Sequence, residues 1–370
     1  MLNKSPFKYI RESLFKSNSV LYKVKISIFA RRLASRNLPI LFNLKHLCNS
    51  MNVSYTKTKD IVDRKSYPYK HFSIKKRNGG FRNIHIPQDE LRLIQKWIHK
   101  NILLKNNYKD CAFAYIPGRN IKMHAERHCM ARWLLKIDLE NFFENTTERR
   151  VFHVFRNMGY SKKMSFDFAR LSTIPMNIKK KESSGKWKNR FPIGRLDRIL
   201  GSLPQGAPSS PLLSNLCFSE LDRKIISIAD SFEFVYTRYS DDLVFSCFEG
   251  DRIKVIKLLK SIRKLLSMYG YRINNKKIKI ITPGARKIIT GLNINQNTPK
   301  VSKSYITEVN KHLYYCKKFG PLSHCERIKF RNTVSYRDHL KGRIDYIRLI
   351  DPVEGTKLLQ KFELINWPLI

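Results

Sequence analysis

The chain has 370 residues, 42% of them apolar, which is enough for a substantial core and too short for many independent domains, so one unit with subdomains is expected. Lysine and arginine number 72 against 29 acidic residues, a formal net charge of +43, and such self-repulsion calls for a polyanion such as a phosphate backbone. The absence of a long apolar span or a dominant basic amphipathic helix argues against a membrane surface, and seven scattered cysteines without a C-x-x-C pair argue against a zinc site or disulfide framework and for a cytoplasmic setting.

In chain order, Leu14, Val20, Leu21, Val24, Ile28 and Leu33 predict an amphipathic helix, with a second short helix around Leu41 to Met51. Phe72 and Ile74 alternate on one side of Asn78-Gly79-Gly80, and Phe81, Ile84 and Ile86 on the other, which predicts a hairpin. Pro87 stops the strand, and Leu91, Ile94, Gln95 and Ile98 recur at helical spacing through Leu103. Trp133 to Ile137 reads as a strand ending at Asp138, and Val151 to Leu171 as a helix. The stretch from Asn177 to Arg198 is polar and lysine-rich, an expected exposed loop. Pro204 to Pro211 is a turn feeding a helix from Leu212 to Ile228, and Phe232 to Cys247 alternates as a strand pair does. Helix follows from Ile253 to Tyr269, strands from Tyr271 to Asn295, and helices from Tyr305 onward. This order defines an α+β fold.

Asp241 and Asp242 sit between two apolar strands, and alone they would be an ordinary turn, since aspartate favours turns. Asp138 at another strand supplies a third carboxylate, and three such groups on rigid elements are what a pair of hard divalent cations requires.

Asp138-x-x-x-Phe142-Phe143, then Leu203-Pro204-Gln205-Gly206-x-x-x-Ser210-Pro211, then Tyr239-Ser240-Asp241-Asp242, in that order, resemble motifs A, B and C of reverse transcriptases. Tyr69-x-x-Phe72, Gly79-Gly80-Phe81-Arg82 and Pro87 with Leu91 and Gln95 resemble the fingers of the retron and group II intron branch. Gly270 to Lys277 resembles motif D, and Leu340 to Ile347 the thumb. His124-Ala125-Glu126-Arg127-His128 and Ile289-Thr290-Gly291 are similar, each with one departure, to two segments of retron reverse transcriptases, and Ser240 stands where those enzymes usually have alanine.

The resemblance implies a right-hand polymerase fold: an N-terminal helical extension (1–60), fingers (61–130), a palm (131–300) carrying the 177–198 basic loop, and an all-helical thumb (301–370). It implies an RNA-directed DNA polymerase of retron type. Such an enzyme uses dNTPs to copy its own structured noncoding RNA into a branched RNA–DNA product, msDNA, and serves antiphage defence with a separate effector protein in the bacterial cytoplasm. Another defence-associated or group II intron-like reverse transcriptase, or an RNA-binding scaffold without synthesis, are the alternatives.

Asp138, Asp241 and Asp242 are the catalytic set, and with Leu139 the set for two Mg²⁺ ions, for which Mn²⁺ is a substitute. Lys75 and Arg82 are candidates for gripping the triphosphate from the fingers hairpin, and Gln205 and Gly206 for approaching the incoming nucleotide. Phe143 aligns with the aromatic that excludes a 2′-hydroxyl, although a core aromatic would look the same. Lys277 is a general acid toward pyrophosphate or a simple phosphate ligand. His124 and His128, Lys186-Trp187-Lys188 and Arg343 are candidate nucleic-acid contacts, the tryptophan among lysines suiting an unpaired base.

Overall fold

The computed structural model describes residues 20–76, 79–175 and 200–368. They pack as two compact units, one within Met1–Pro117, Leu139–Lys224 and Leu265–Ile273, the other within Gly118–Asp138, Ile225–Lys264 and Asn274–Ile370.

The first unit opens with helices α1 (Val20–Ala34), α2 (Leu44–Met51) and α3 (Tyr55–Val62). Asn43 caps α2, its side chain accepting from the His46 N–H at 2.8 Å. The predicted hairpin follows as strands β1 (Tyr69–Lys75) and β2 (Phe81–Pro87), with Gly79 and Gly80 in left-handed conformations beside the turn. Helix α4 (Asp89–Asn101) carries acids in its first turn and His99 and Lys100 in its last, matching the helix dipole.

The single helix predicted over Val151 to Leu171 is two, α6 (Glu148–Met158) and α7 (Lys162–Ser172), separated from α4 in the chain by the short α5 (Ile121–Glu126) and by β3 (Trp133–Glu140). Gly159 ends α6 at φ 110°, and Ser161 restarts the chain by accepting from the Met164 N–H. Apolar spacing continued across this break, so periodicity alone concealed it. The side chains of α1, α2, α4, α6 and α7 then bury one core around Leu33, Leu47, Ile94, Phe155 and Phe168.

After α7 come the two-residue strands β4 (Ile174–Pro175) and β5 (Gly201–Ser202), which pair with each other; the segment 177–198, expected as a basic loop, lies outside the described residues. Buried Glu148 joins Arg64, Arg170 and the Thr173 hydroxyl beside this strand pair, and a side chain on Gly201 would collide with that group. Helix α8 (Ser210–Ser231) follows.

In the second unit, strands β6 (Val235–Tyr239) and β7 (Asp242–Cys247) pair antiparallel, and β7 pairs in turn with β3. After helix α9 (Arg252–Met268) and β8 (Arg272–Ile273), strand β9 (Lys279–Ile281) also lies against β3. Strands β10 (Ile288–Ile289) and β11 (Leu292–Asn293) form a small hairpin, turned by Thr290 and Gly291 at positive φ. Helices α10 (Lys303–Phe319), α11 (Pro321–Arg327), α12 (Thr333–Ile350) and α13 (Pro352–Glu363) close the chain around Leu313, Tyr336, Leu340, Ile344 and Phe362. Among the described residues no helix is long and apolar enough to cross a membrane, and none of the seven cysteines is in a disulfide.

Candidate active site

Strand β3 runs two residues past Asp138, to Glu140, so the aspartate is held inside the strand. Its direct partner across the ladder is Asp242. Paired residues share a face of the sheet with side chains about 5 Å apart, so two carboxylates placed opposite one another repel unless a cation lies between or beside them. Lys277 provides one: its Nζ donates to Asp138 Oδ2 at 2.7 Å. Burial alone would lower the Lys277 ammonium, but the bond to Asp138 and the charges of all three aspartates hold it above its usual range. On the same face Lys136 pairs with Val244 and Lys279, and burial lowers its ammonium against the pull of Asp242 and Asp138.

Asp241 stands in the two-residue turn between β6 and β7, closed by the pair Tyr239 and Asp242. Ser240 takes the first turn position at φ 60°, a conformation that hairpin turns of this kind normally give to glycine. Its carbonyl accepts from Nη1 of the fully buried Arg238 at 3.1 Å. Burial raises Asp241, with Asp138 adding to the effect, and burial followed by Asp241 raises Asp242. Asp241 and Asp242, whose ionised forms are disfavoured by burial and by neighbouring carboxylates, stand with Asp138 as an oxygen donor set suited to a hard divalent ion. Among the described residues they are not already gathered as a ligand cage, and Lys277 occupies Asp138.

Apart from Lys277, the nucleotide candidates lie in the first unit, and the hairpin register separates two of them. Lys75 pairs with Phe81, and Arg82 with Ile74. Because side chains alternate faces, Lys75 and Arg82 point to opposite sides and do not converge on one phosphate. Lys76 returns to the face of Arg82 and extends the ladder through its N–H to the Gly80 carbonyl. Residues of opposite faces read alike in a sequence until the register is known, so spacing alone does not distinguish Lys76 from Lys75.

Ile84 shares the face of Arg82 and meets the Gln205-Gly206 turn. The His85 N–H donates to the Gln205 carbonyl at 2.7 Å, and a Cβ on Gly206, whose φ is +101°, would fall 2.8 Å from Ile84 Cγ2. Gln205 Oε1 is buried without a hydrogen-bond partner among the described residues, and it borders a cavity of about 180 Å³ with Asn83, His85 and Asn141. Of the two phenylalanines after Asp138, Phe142 is buried against Phe218 and Tyr271, while Phe143 is half-buried beside Tyr115. Leu139 is buried and pairs with Ile273 of β8.

Two expected nucleic-acid contacts are corrected. His124 and His128 are fully buried, and α5 ends before His128, so they do not form a helical i, i+4 pair at a surface. His128 bridges the two strands of the aspartate hairpin, Nδ1 to Ser246 and Nε2 to Thr237, both at 2.6 Å, and burial keeps it neutral, its pKa lowered to about 3. Arg343 forms a fork with both oxygens of the exposed Glu308 and stacks over Tyr305 at 4.6 Å, joining α12 to α10. Lys186, Trp187 and Lys188 lie outside the described residues.

A pair of strand carboxylates with a third at their turn, beside a lysine, is an arrangement suited to holding divalent cations. The chain belongs to the reverse transcriptase (RNA-dependent DNA polymerase) family, whose profile matches residues 74–301. Its relatives narrow this to the retron type. It is 29% identical to the retron Ec86 reverse transcriptase of Escherichia coli over 89% of this chain and 96% of that protein. It is 30% identical to the retron Ec83 reverse transcriptase of the same organism over 82% of this chain and 89% of that one. Among solved structures, telomerase from Candida albicans in complex with a fragment of telomeric RNA aligns at 12% identity and a TM-score of 0.43, over 81% of this chain and 57% of that chain.

Proposed function

We propose that Asp138, Asp241 and Asp242 form the polymerising centre of this reverse transcriptase, acting on the protein's own structured noncoding RNA to make a branched RNA–DNA product. The observation that carries it is the register pairing of Asp138 with Asp242, with Asp241 held at the adjoining turn. Asp138 and Asp241 would ligate two Mg²⁺ ions, with Asp242 peripheral and Leu139 contributing its only oxygen, the backbone carbonyl. Bound there, the ions would activate the attacking 3′-hydroxyl and neutralise the pyrophosphate leaving group.

The protein's side chains do the rest. Lys277, kept protonated by Asp138, meets the departing pyrophosphate as counter-charge or proton donor. Arg82, with Lys76 on its face, binds the triphosphate, its planar fork matching phosphate oxygens. The Gln205-Gly206 turn borders the incoming nucleotide, and Phe143 excludes a 2′-hydroxyl. By the likeness to retron enzymes, the product serves antiphage defence with an effector protein in the bacterial cytoplasm. The subdivision into N-terminal extension, fingers, palm and thumb belongs to the same reading.

The test is nucleotide incorporation by the purified protein with its co-purified RNA, dNTPs and Mg²⁺. Asp241→Asn should lose at least about a thousandfold in rate, because metal stabilisation of the transition state is worth several kcal/mol. Equal incorporation by wild type and variant would refute the assignment. Sequencing of the co-purifying nucleic acid should find RNA covalently joined to DNA; free cDNA alone would refute the branched product.

A further inference from the structure

The run from Cys111 to Ile116 is buried at every position but one. Cys111, Ala112, Phe113, Ala114 and Ile116 are all inside, whereas Tyr115 is 45% exposed. A left-handed backbone, φ 67°, turns it outward. Bulky residues rarely take that conformation and keep it only where their surroundings hold it. Asn215 of α8 supplies the hold: from a buried position its Nδ2 donates to the Ala114 carbonyl at 2.8 Å, on the peptide leading into Tyr115.

Three residues along the same helix, hence on the same face, Phe218 packs against Phe142 with ring centroids 5.6 Å apart. One helical face thereby seats both segments. As a result the Tyr115 ring stands 6.5 Å from that of Phe143, tilted by 55°, and Phe142 meets Phe143 at 5.6 Å and 67°. These are favourable distances and angles for aromatic contact.

We propose that Tyr115 is a positioning residue for sugar selection: its ring backs Phe143 and limits the swing of that ring, keeping the barrier to a 2′-hydroxyl in place. The inference rests on reading Phe143 as the sugar-excluding residue. Without Tyr115, Phe143 retains its bulk but gains rotamer freedom on its exposed side. Ribonucleotides then enter more often, while deoxynucleotides, which meet no clash, are incorporated much as before.

Single-nucleotide addition opposite a templating cytosine, with the full-length protein on an RNA template and DNA primer, gives kcat/KM for dGTP and for GTP. Tyr115→Ala should lower the dGTP/GTP ratio about tenfold by raising the GTP value. Tyr115→Gly, which removes the ring and relaxes the backbone together, should do the same and so separate ring loss from strain. Tyr115→Phe should keep the wild-type ratio, since the ring and not the hydroxyl does the backing. Adding Tyr115→Ala to Phe143→Ala should lower the ratio no further than Phe143→Ala alone, as expected when one residue acts through the other.

An unchanged ratio in both ring-less variants, while Phe143→Ala lowers it, would overturn the role of Tyr115 and leave that of Phe143. An unchanged ratio in Phe143→Ala would overturn both. Equal loss of dGTP and GTP efficiency in the Tyr115 variants would show a merely structural residue and would also overturn the proposal.

Discussion

His128 spends both ring nitrogens on the strands that present the aspartates, one on Ser246 and one on Thr237. Burial first, then His124 and Arg127, lowers its pKa to about 3 from the ordinary 6.5. The unfolded chain therefore binds the proton before the folded one does. The stability contributed by the neutral ring is complete above about pH 6.5 and falls as pH drops toward 3, by about 1.4 kcal/mol per pH unit. Asp241 and Asp242 act in the opposite sense, because a raised carboxyl takes up its proton more readily in the folded state. Thermal midpoints measured from pH 7 to pH 5 should therefore fall less steeply for His128→Asn than for wild type. Parallel slopes would show that the buried imidazole does not govern this range. At this scale the three aspartates were legible as residue types between apolar runs. The histidines were not, because an H-x-x-x-H spacing is the same string whether it faces solvent or core.

The Gln205-Gly206 turn depends on the strand beside it. At φ +101°, with Ile84 Cγ2 and the His85 carbonyl both within 3.2 Å of a built Cβ, Gly206 has neither the backbone freedom nor the room to become alanine. Gly206→Ala should cost about 1–3 kcal/mol in stability. It should also raise KM for dNTPs as the turn withdraws from β2, and an unchanged KM in steady-state kinetics would separate this turn from the nucleotide site. The hairpin, α4, α8 and the β6–β7 pair were all legible, since their periods of 2 and 3.6 are written in neighbouring residues. The break between α6 and α7 was not, because Gly159 and Ser161 interrupt a helix without interrupting its apolar stripe. The direction of Lys75 was hidden for a related reason: a one-residue change of register exchanges the faces of a strand.

For the whole chain the dominant quantity is the charge of +43. Affinity for an RNA oligonucleotide should fall linearly on a plot of log K against log salt, with a slope on the order of −4 or steeper as several condensed counterions are released. A filter-binding or anisotropy titration between low and physiological salt measures it, and a flat line would show that this charge is not matched to phosphate. Composition predicted that partner without any fold. It did not say which cations are already paired, and Arg343 shows why: its fork meets both oxygens of Glu308, a residue of another helix.

By itself the sequence determined the order of motifs, the carboxylate set and the alternation of strand and helix, since these depend on residue type and on near neighbours. Only the tertiary structure decided that Asp138 faces Asp242, that Lys277 bonds to Asp138, that His124 and His128 are interior, and that Tyr115 stands against Phe143. Each of these joins segments brought together by register and packing, and the energies that choose among such pairings belong to the assembled core, not to any one stretch of chain.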